Sequence, residues 1–98
     1  MPVFPEIAAL DAEMRGWRHH LHAHPETAFE EHATSAYVAD KLRSFGLEVH
    51  PGLGGTGVVG VLRNGNADAA IGMRADLDAL HIHEKSGVAH ASIHEGRM

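Results

Sequence analysis

The first quarter of the chain carries apolar residues at alternating spacings of three and four positions. They are Ile7, Leu10, Met14, Trp17 and Leu21. This spacing places them on one face of an amphipathic helix. Pro5 and Glu6 suit the first turn of that helix. We expect the helix to end near His24, because the residue before Pro25 is disfavoured in the α conformation.

A second amphipathic helix is predicted from about Phe29 to Phe45, where apolar residues again follow a helical stripe. Thr27 is the predicted N-cap residue, and Glu30 lies three positions later, which is the spacing of a capping box. Gly46 is suited to the left-handed residue that commonly follows a helix. The helix is therefore expected to stop at Phe45.

After Gly46 the pattern changes to one typical of β-strands. Residues 47–50 predict a short strand, residues 51–57 a glycine-rich loop, and residues 58–63 a second strand. Asn64-Gly65-Asn66 is a strong turn signal. The apolar run at residues 69–74 then predicts a third, buried strand. The order helix, helix, strand, strand, strand indicates an α/β fold.

Composition narrows the class of protein. The 98 residues are 44% hydrophobic and 21% charged, which is ordinary for a small globular domain. A net charge of -5 gives no basic surface for nucleic acid. Without cysteine the chain has no disulfide and no thiolate ligand. No apolar run is long enough to span a membrane, and the first residues do not resemble a secretory signal, so we expect a cytoplasmic protein.

The candidate chemistry lies at the end of the predicted third strand. Asp76 and Asp78 are two positions apart, so an extended backbone directs both carboxylates to one side. Such a pair can bind a divalent metal or orient a metal-ligating imidazole. His81 and His83 follow and could complete a His/carboxylate site. The alternatives are a solvated strand end and histidines of an exposed loop.

Two other patterns carry weaker signals. His20 and His24 lie one helical turn apart and could chelate a metal, but such side chains are also favourable at a helix C-terminus. The glycine-rich residues 52–57 contain neither a P-loop lysine nor a dinucleotide fingerprint. We interpret them as a tight connection.

Several segments, in order along the chain, resemble the N-terminal part of hippurate hydrolases, N-acyl-amino-acid amidohydrolases and plant auxin-conjugate hydrolases, which are aminoacylase-type metallopeptidases. The segments are residues 17–26, 29–31, 42–49, 54–59, 73–80 and 96–98. The resemblance covers nearly the whole chain. It implies that residues 1–98 are the N-terminal portion of a three-layer α/β/α zinc-peptidase-like catalytic domain, incomplete and without a second domain.

The resemblance also implies an activity and a site. Members of that family hydrolyse the amide bond of N-acyl amino acids at a dinuclear zinc or manganese site, and the parent enzyme is expected to be a homodimer. By match to the family, Asp78 takes the position of an orienting carboxylate and Asp76 that of a weak candidate ligand. His81 and His83 stand where the family usually has proline and glutamine.

The family's His-Ala-Cys-Gly-His-Asp segment, which follows its Gly-Arg-Met triplet, is not in this sequence. We therefore expect a truncated amidohydrolase that is inactive by itself and binds no metal specifically. The alternative is a small His-rich module that binds a metal or a partner without catalysis. A third possibility is a remnant that docks on a longer paralogue.

Overall fold

The computed structural model describes residues 2–98, which form two compact units. The first unit comprises residues 2–25 and 81–98 and contains helices α1 (Pro5–Ala8) and α2 (Asp11–Ala23). The second unit, Glu26–Leu80, contains helix α3 (His32–Ser44) and strands β1 (Glu48–Leu53) and β2 (Gly57–Val61). Helices followed by a small sheet confirm the predicted α/β class. No helix in residues 2–98 has the length and apolar character needed to cross a membrane.

The predicted first helix is present but interrupted between Ala8 and Asp11. At this point the Leu10 N–H donates to the carbonyl of Ile7, 3.0 Å away, so one tighter 3₁₀-type turn separates α1 from α2. The predicted end of the helix is confirmed. His24, with φ -119° and ψ 61°, has left the α region immediately before Pro25.

The predicted start of the second helix is wrong, because the helix begins at His32 and not at Phe29. Its predicted N-cap, Thr27, is also wrong, because Glu31 takes that position. Phe29 has φ +64°, a conformation that no helix interior tolerates. The Glu30 N–H donates to the carbonyl of Thr27 at 2.9 Å, which makes a turn that delays the helix until His32. The Thr27 hydroxyl donates to the Glu30 carboxylate at 3.4 Å, and within residues 2–98 it makes no hydrogen bond to the backbone of α3.

A carboxylate from before this turn caps α3 instead. Glu26 accepts hydrogen bonds from the backbone N–H of Ala33 at 3.1 Å and of Thr34 at 2.5 Å, two donors that the helix itself cannot satisfy. Burial alone would raise the pKa of Glu26, but the hydrogen bonds from Thr34 and Ala33 outweigh it and lower the pKa. The negative charge of Glu26 also interacts favourably with the positive, N-terminal end of the helix dipole.

The predicted C-terminus of α3 is confirmed in detail. Gly46 has φ +86°, the left-handed conformation that glycine adopts without strain. Its N–H donates to the carbonyl of Arg43 at 2.9 Å, and the N–H of Leu47 donates to that of Leu42 at 3.2 Å. This pair of bonds is a Schellman motif, and it turns the chain from α3 into β1.

Strands β1 and β2 form an antiparallel hairpin, with Glu48 opposite Val61 and Pro51 opposite Val58. Both strands are present as predicted, although β1 continues through residues assigned to a loop. Helix α3 packs against both strands. A side chain at Gly60 would approach Leu42 within 3.1 Å, so glycine here allows the helix to lie close to the sheet.

The predicted third strand is wrong. Residues 69–74 form no strand, and Ile71 and Met73 are 93% and 95% exposed. A buried strand needs neighbours for its backbone and cover for its side chains. The described part of this unit provides neither. Regular pairing returns only at a single parallel bridge between Thr27 and Ala79, where the Ala79 N–H donates to the Glu26 carbonyl at 2.7 Å.

Candidate functional site

A groove of about 630 Å³ lies in the second unit, between α3, the hairpin and residues 73–78. Asp76 and Asp78, the two carboxylates singled out in the sequence, both border it. Exposed apolar side chains of Phe29 and Leu53 contribute to its walls. The groove therefore combines apolar surface with carboxylates at the end of an extended segment.

The segment that carries the two aspartates has an alternating exposure. Asp76 and Asp78 are exposed, whereas Leu77 and Ala79 are half-buried, which is the alternation expected of extended backbone. Asp76 Oδ1 lies 2.6 Å from a guanidinium nitrogen of Arg74, and both side chains are largely in solvent. Such an exposed ion pair contributes little to stability, so Asp76 is available to other partners.

A third carboxylate of the groove, that of Glu31, was not anticipated from the sequence. Glu31 is only 7% exposed and accepts a 2.5 Å hydrogen bond from the hydroxyl of buried Thr56. This hydrogen bond lowers the pKa of Glu31, with help from the backbone N–H groups of Glu31 and Phe29, while burial opposes the shift. The contact fixes the glycine-rich loop against the start of α3. No local pattern could have joined residues 25 positions apart.

The first unit contains its own buried carboxylate, Glu84, whose side chain is 5% exposed. Its Oε1 accepts hydrogen bonds from the Ser92 N–H at 2.7 Å and from His22 Nε2 at 2.9 Å, and its Oε2 accepts one from the Ser86 hydroxyl. The Ser86 and Ser92 bonds, followed by His22, lower the pKa of Glu84 to about 2, against the effect of burial. Glu84 thereby holds the loop of residues 84–92 on α2.

Three imidazoles lie beside this carboxylate. The rings of His19 and His90 are stacked, with centroids 3.7 Å apart and planes 4° apart, and His22 meets His90 edge-on at 5.1 Å. Burial lowers the pKa of His19, and the nearby charges of His90 and Arg18 lower it further. Parallel stacked rings direct their nitrogens side by side, so this arrangement does not converge on one metal ion.

Of the four predicted ligands, Asp76 and Asp78 belong to the second unit and His81 and His83 to the first. All four side chains are exposed. Within residues 2–98, no group of three or more His, Asp or Glu side chains is placed to hold a metal ion. The described residues do not fit a complete metal centre, and a ligand role for these four residues stays a prediction.

His24 is likewise engaged elsewhere. Its Nδ1 donates to the backbone carbonyl of His20 at 2.7 Å, and the two rings are tilted against each other at 4.6 Å. This hydrogen bond satisfies a carbonyl of the last turn of α2, as expected for a polar side chain at a helix C-terminus.

Comparison with known proteins shows where this chain has relatives. It is 46% identical, over 98% of its length, to a hippurate hydrolase of Campylobacter jejuni. It is 38% identical to an N-acetyl-L-cysteine deacetylase of Bacillus subtilis over 94% of its length, and 38% identical to an N-acyl-L-amino acid amidohydrolase of Geobacillus stearothermophilus over 92%. The chain spans 27%, 22% and 27% of these proteins, about a quarter of their length. No family model and no solved structure matches it.

Proposed function

We propose that this chain, a homologue of one stretch of the hippurate hydrolases and N-acyl-amino-acid amidohydrolases, is part of the catalytic α/β region of an enzyme that hydrolyses the amide bond of N-acyl amino acids. One observation carries the proposal: the 46% identity to a hippurate hydrolase extends over 98% of the chain. Two relatives whose names describe a deacetylase and an amidohydrolase support the same reaction class. The acyl group and the amino acid stay open.

We assign the groove of the second unit to the substrate-binding region of this enzyme. Asp78 is proposed as a carboxylate that orients a neighbouring group by hydrogen bonding, and Asp76 as a weaker candidate for direct contact. The exposed surfaces of Phe29 and Leu53 offer apolar contact for an acyl group. Glu31, held by Thr56, positions the glycine-rich loop at the edge of the groove.

Zinc or manganese belongs to the proposal only as an expectation for the longer enzyme, where a metal would supply Lewis-acid activation of the amide carbonyl. Residues 2–98 bring no three suitable ligands together, so we derive no reaction step through a metal. The 98-residue chain is proposed to be inactive by itself. A homodimeric parent and a cytoplasmic location are expectations of the same proposal.

The decisive experiment is a chimera. The stretch of the Campylobacter jejuni hippurate hydrolase that aligns with this chain is replaced by residues 1–98, and glycine release from hippurate is measured. We expect the chimera to retain activity, because a stretch that is 46% identical should adopt the same fold. The isolated 98-residue chain is assayed alongside it and is expected to release no glycine, with or without added zinc or manganese.

Two variants of the chimera test the assigned residue. Asp78→Asn removes the groove carboxylate with almost no change in size and is expected to lower kcat at least about tenfold, the range typical when a residue that orients a catalytic group is changed. Asp68→Asn makes the same change at an exposed position outside the groove and is expected to leave kcat unchanged. A folded chimera without activity would overturn the proposed function. Equal activity of both variants would remove Asp78 from the site.

A further inference from the structure

The turn after β2 contains both asparagines of the chain. Asn64 is followed by Gly65, and Asn66 is followed by Ala67. The backbone bends at residues 65–66, where the sequence predicted a turn, and both asparagines are exposed. The two residues therefore share one turn and are both in contact with water, but they differ in the residue that follows.

The backbone at Gly65 is open and free of hydrogen bonds. Gly65 has φ +82°, in the left-handed region that glycine adopts without strain. Apart from its chain neighbours, no atom lies within 4 Å of the position that a Cβ would occupy. Within residues 2–98, neither the Gly65 N–H nor the Asn64 side chain takes part in a hydrogen bond. The Gly65 nitrogen can therefore approach the Asn64 side chain without breaking a contact.

This arrangement permits a reaction between the two neighbouring groups. The nitrogen after an asparagine is placed to close a small ring on the side-chain Cγ, and an attack within one molecule has little entropy to lose. The Gly65 nitrogen loses its proton and bonds to Asn64 Cγ, while the bond from Cγ to Nδ2 breaks and ammonia leaves with that proton. Water then opens the cyclic imide at either carbonyl, which leaves aspartate or isoaspartate at position 64.

We propose that Asn64 is a site of spontaneous deamidation, in which the Gly65 nitrogen displaces the side-chain amide. The new carboxyl is ionised at neutral pH, so it adds one negative charge to the net charge of -5. The isoaspartate product also adds a methylene group to the backbone between β2 and residues 69–74. The reaction needs only water and no catalytic residue, so it is independent of the proposed amidohydrolase function.

Timed incubation of the purified 98-residue chain at mildly alkaline pH tests the site. Isoelectric focusing of the intact chain should show a more acidic form that accumulates with time, and peptide mapping by mass spectrometry should locate the change at Asn64. Isoaspartate should be present beside aspartate. Asn66 is the internal control and is expected to react at least about tenfold more slowly, because the methyl group of Ala67 obstructs ring closure. This difference corresponds to about 1.4 kcal/mol in the activation barrier.

Two glycine variants separate the role of Gly65 from that of exposure. Gly65→Ala places a methyl group on the attacking residue and is expected to slow the change at position 64 at least about tenfold. Gly72→Ala makes the same substitution at an exposed glycine that follows Ile71 and should leave the rate unchanged. Circular dichroism checks that both variants are folded. Retention of the Asn64 amide throughout the incubation would overturn the proposal. So would equal rates at Asn64 and Asn66, or an unchanged rate in Gly65→Ala.

Discussion

Removal of the Glu26 carboxylate is expected to destabilise the start of α3. The helix begins at His32, and its own N-cap residue, Glu31, makes no side-chain capping bond. Glu26, five residues before that N-cap, accepts the N–H groups of Ala33 and Thr34 at 3.1 and 2.5 Å. These are the second and third residues of the helix, the positions that capping side chains normally satisfy.

The magnitude follows from what the carboxylate supplies. Loss of a capping side chain costs about 1–2 kcal/mol, and Glu26 satisfies two donors while facing the positive end of the helix dipole. Glu26→Ala should therefore lower the free energy of unfolding by about 1–2 kcal/mol. In a chain of this size, each kcal/mol lowers the Tm by roughly 4–8 °C. Glu26→Gln keeps one acceptor oxygen but no charge, so about half of that loss is expected.

The pH dependence of this effect has a definite sign. Because the pKa of Glu26 is lowered below its ordinary value of 4.5, the stabilisation is fully present above that value. It is lost as the pH falls through the lowered pKa of the folded protein. Thermal unfolding of wild type and Glu26→Gln should therefore differ most near neutral pH, and the difference should shrink in acid.

Glu30→Ala is the matched control, since Glu30 is the residue that the sequence pattern assigned to the capping box. Its carboxylate accepts a long hydrogen bond of 3.4 Å from the Thr27 hydroxyl, so the variant should unfold within about 0.5 kcal/mol of wild type. Amide exchange measured by NMR locates the effect, because the Ala33 and Thr34 amides should lose protection only in Glu26→Ala. Equal losses in the two variants, or unchanged exchange at Ala33 and Thr34, would refute the reasoning.

Two other predictions concern the buried carboxylate of the groove and the stacked imidazoles. Thr56→Val removes the closest donor to Glu31, so NMR titration should show a raised Glu31 pKa together with a lower Tm. Thr56→Ser keeps the hydroxyl and should restore both, and a Glu31 pKa equal in the two variants would contradict the assignment. His90→Ala uncovers His19 and removes a neighbouring charge, so the His19 pKa should rise towards 6.5. In wild type the lowered His19 pKa means that the free energy of unfolding falls as the pH drops below 6.5. This fall should be shallower in His90→Ala, which unfolding measured at several pH values across that range would show.

The elements that the sequence predicted well are those specified by neighbouring residues. The apolar spacing of the first helix, the proline that ends it and the left-handed Gly46 after α3 all act within one or two turns, and each is confirmed. The start of α3 was misplaced because a local capping-box pattern competes with a turn at Phe29 and with a carboxylate from farther upstream. Spacing alone does not rank these alternatives.

The buried polar contacts lay beyond what pattern could show. Thr56 is hydrogen-bonded to Glu31, 25 positions earlier in the sequence. His22 is hydrogen-bonded to Glu84, 62 positions later. In each case the individual residue is unremarkable in its own segment, and only folding brings donor and acceptor together. The carboxylates that the sequence did single out, Asp76 and Asp78, border the groove of the second unit.

The third strand shows most clearly what an apolar run does and does not encode. Residues 69–74 have the composition of a strand buried on both faces, yet Ile71 and Met73 are almost fully exposed. Burial of these side chains would stabilise the folded protein, on the order of 1.5–3 kcal/mol for each large one. The run itself does not specify what covers them. In a hairpin, each strand forms backbone hydrogen bonds with the other, so a free outer edge is tolerated. A single extended segment without a neighbouring strand forms none of these hydrogen bonds. The β1–β2 hairpin therefore forms with local partners, and the 69–74 segment does not become a strand on its apolar composition alone.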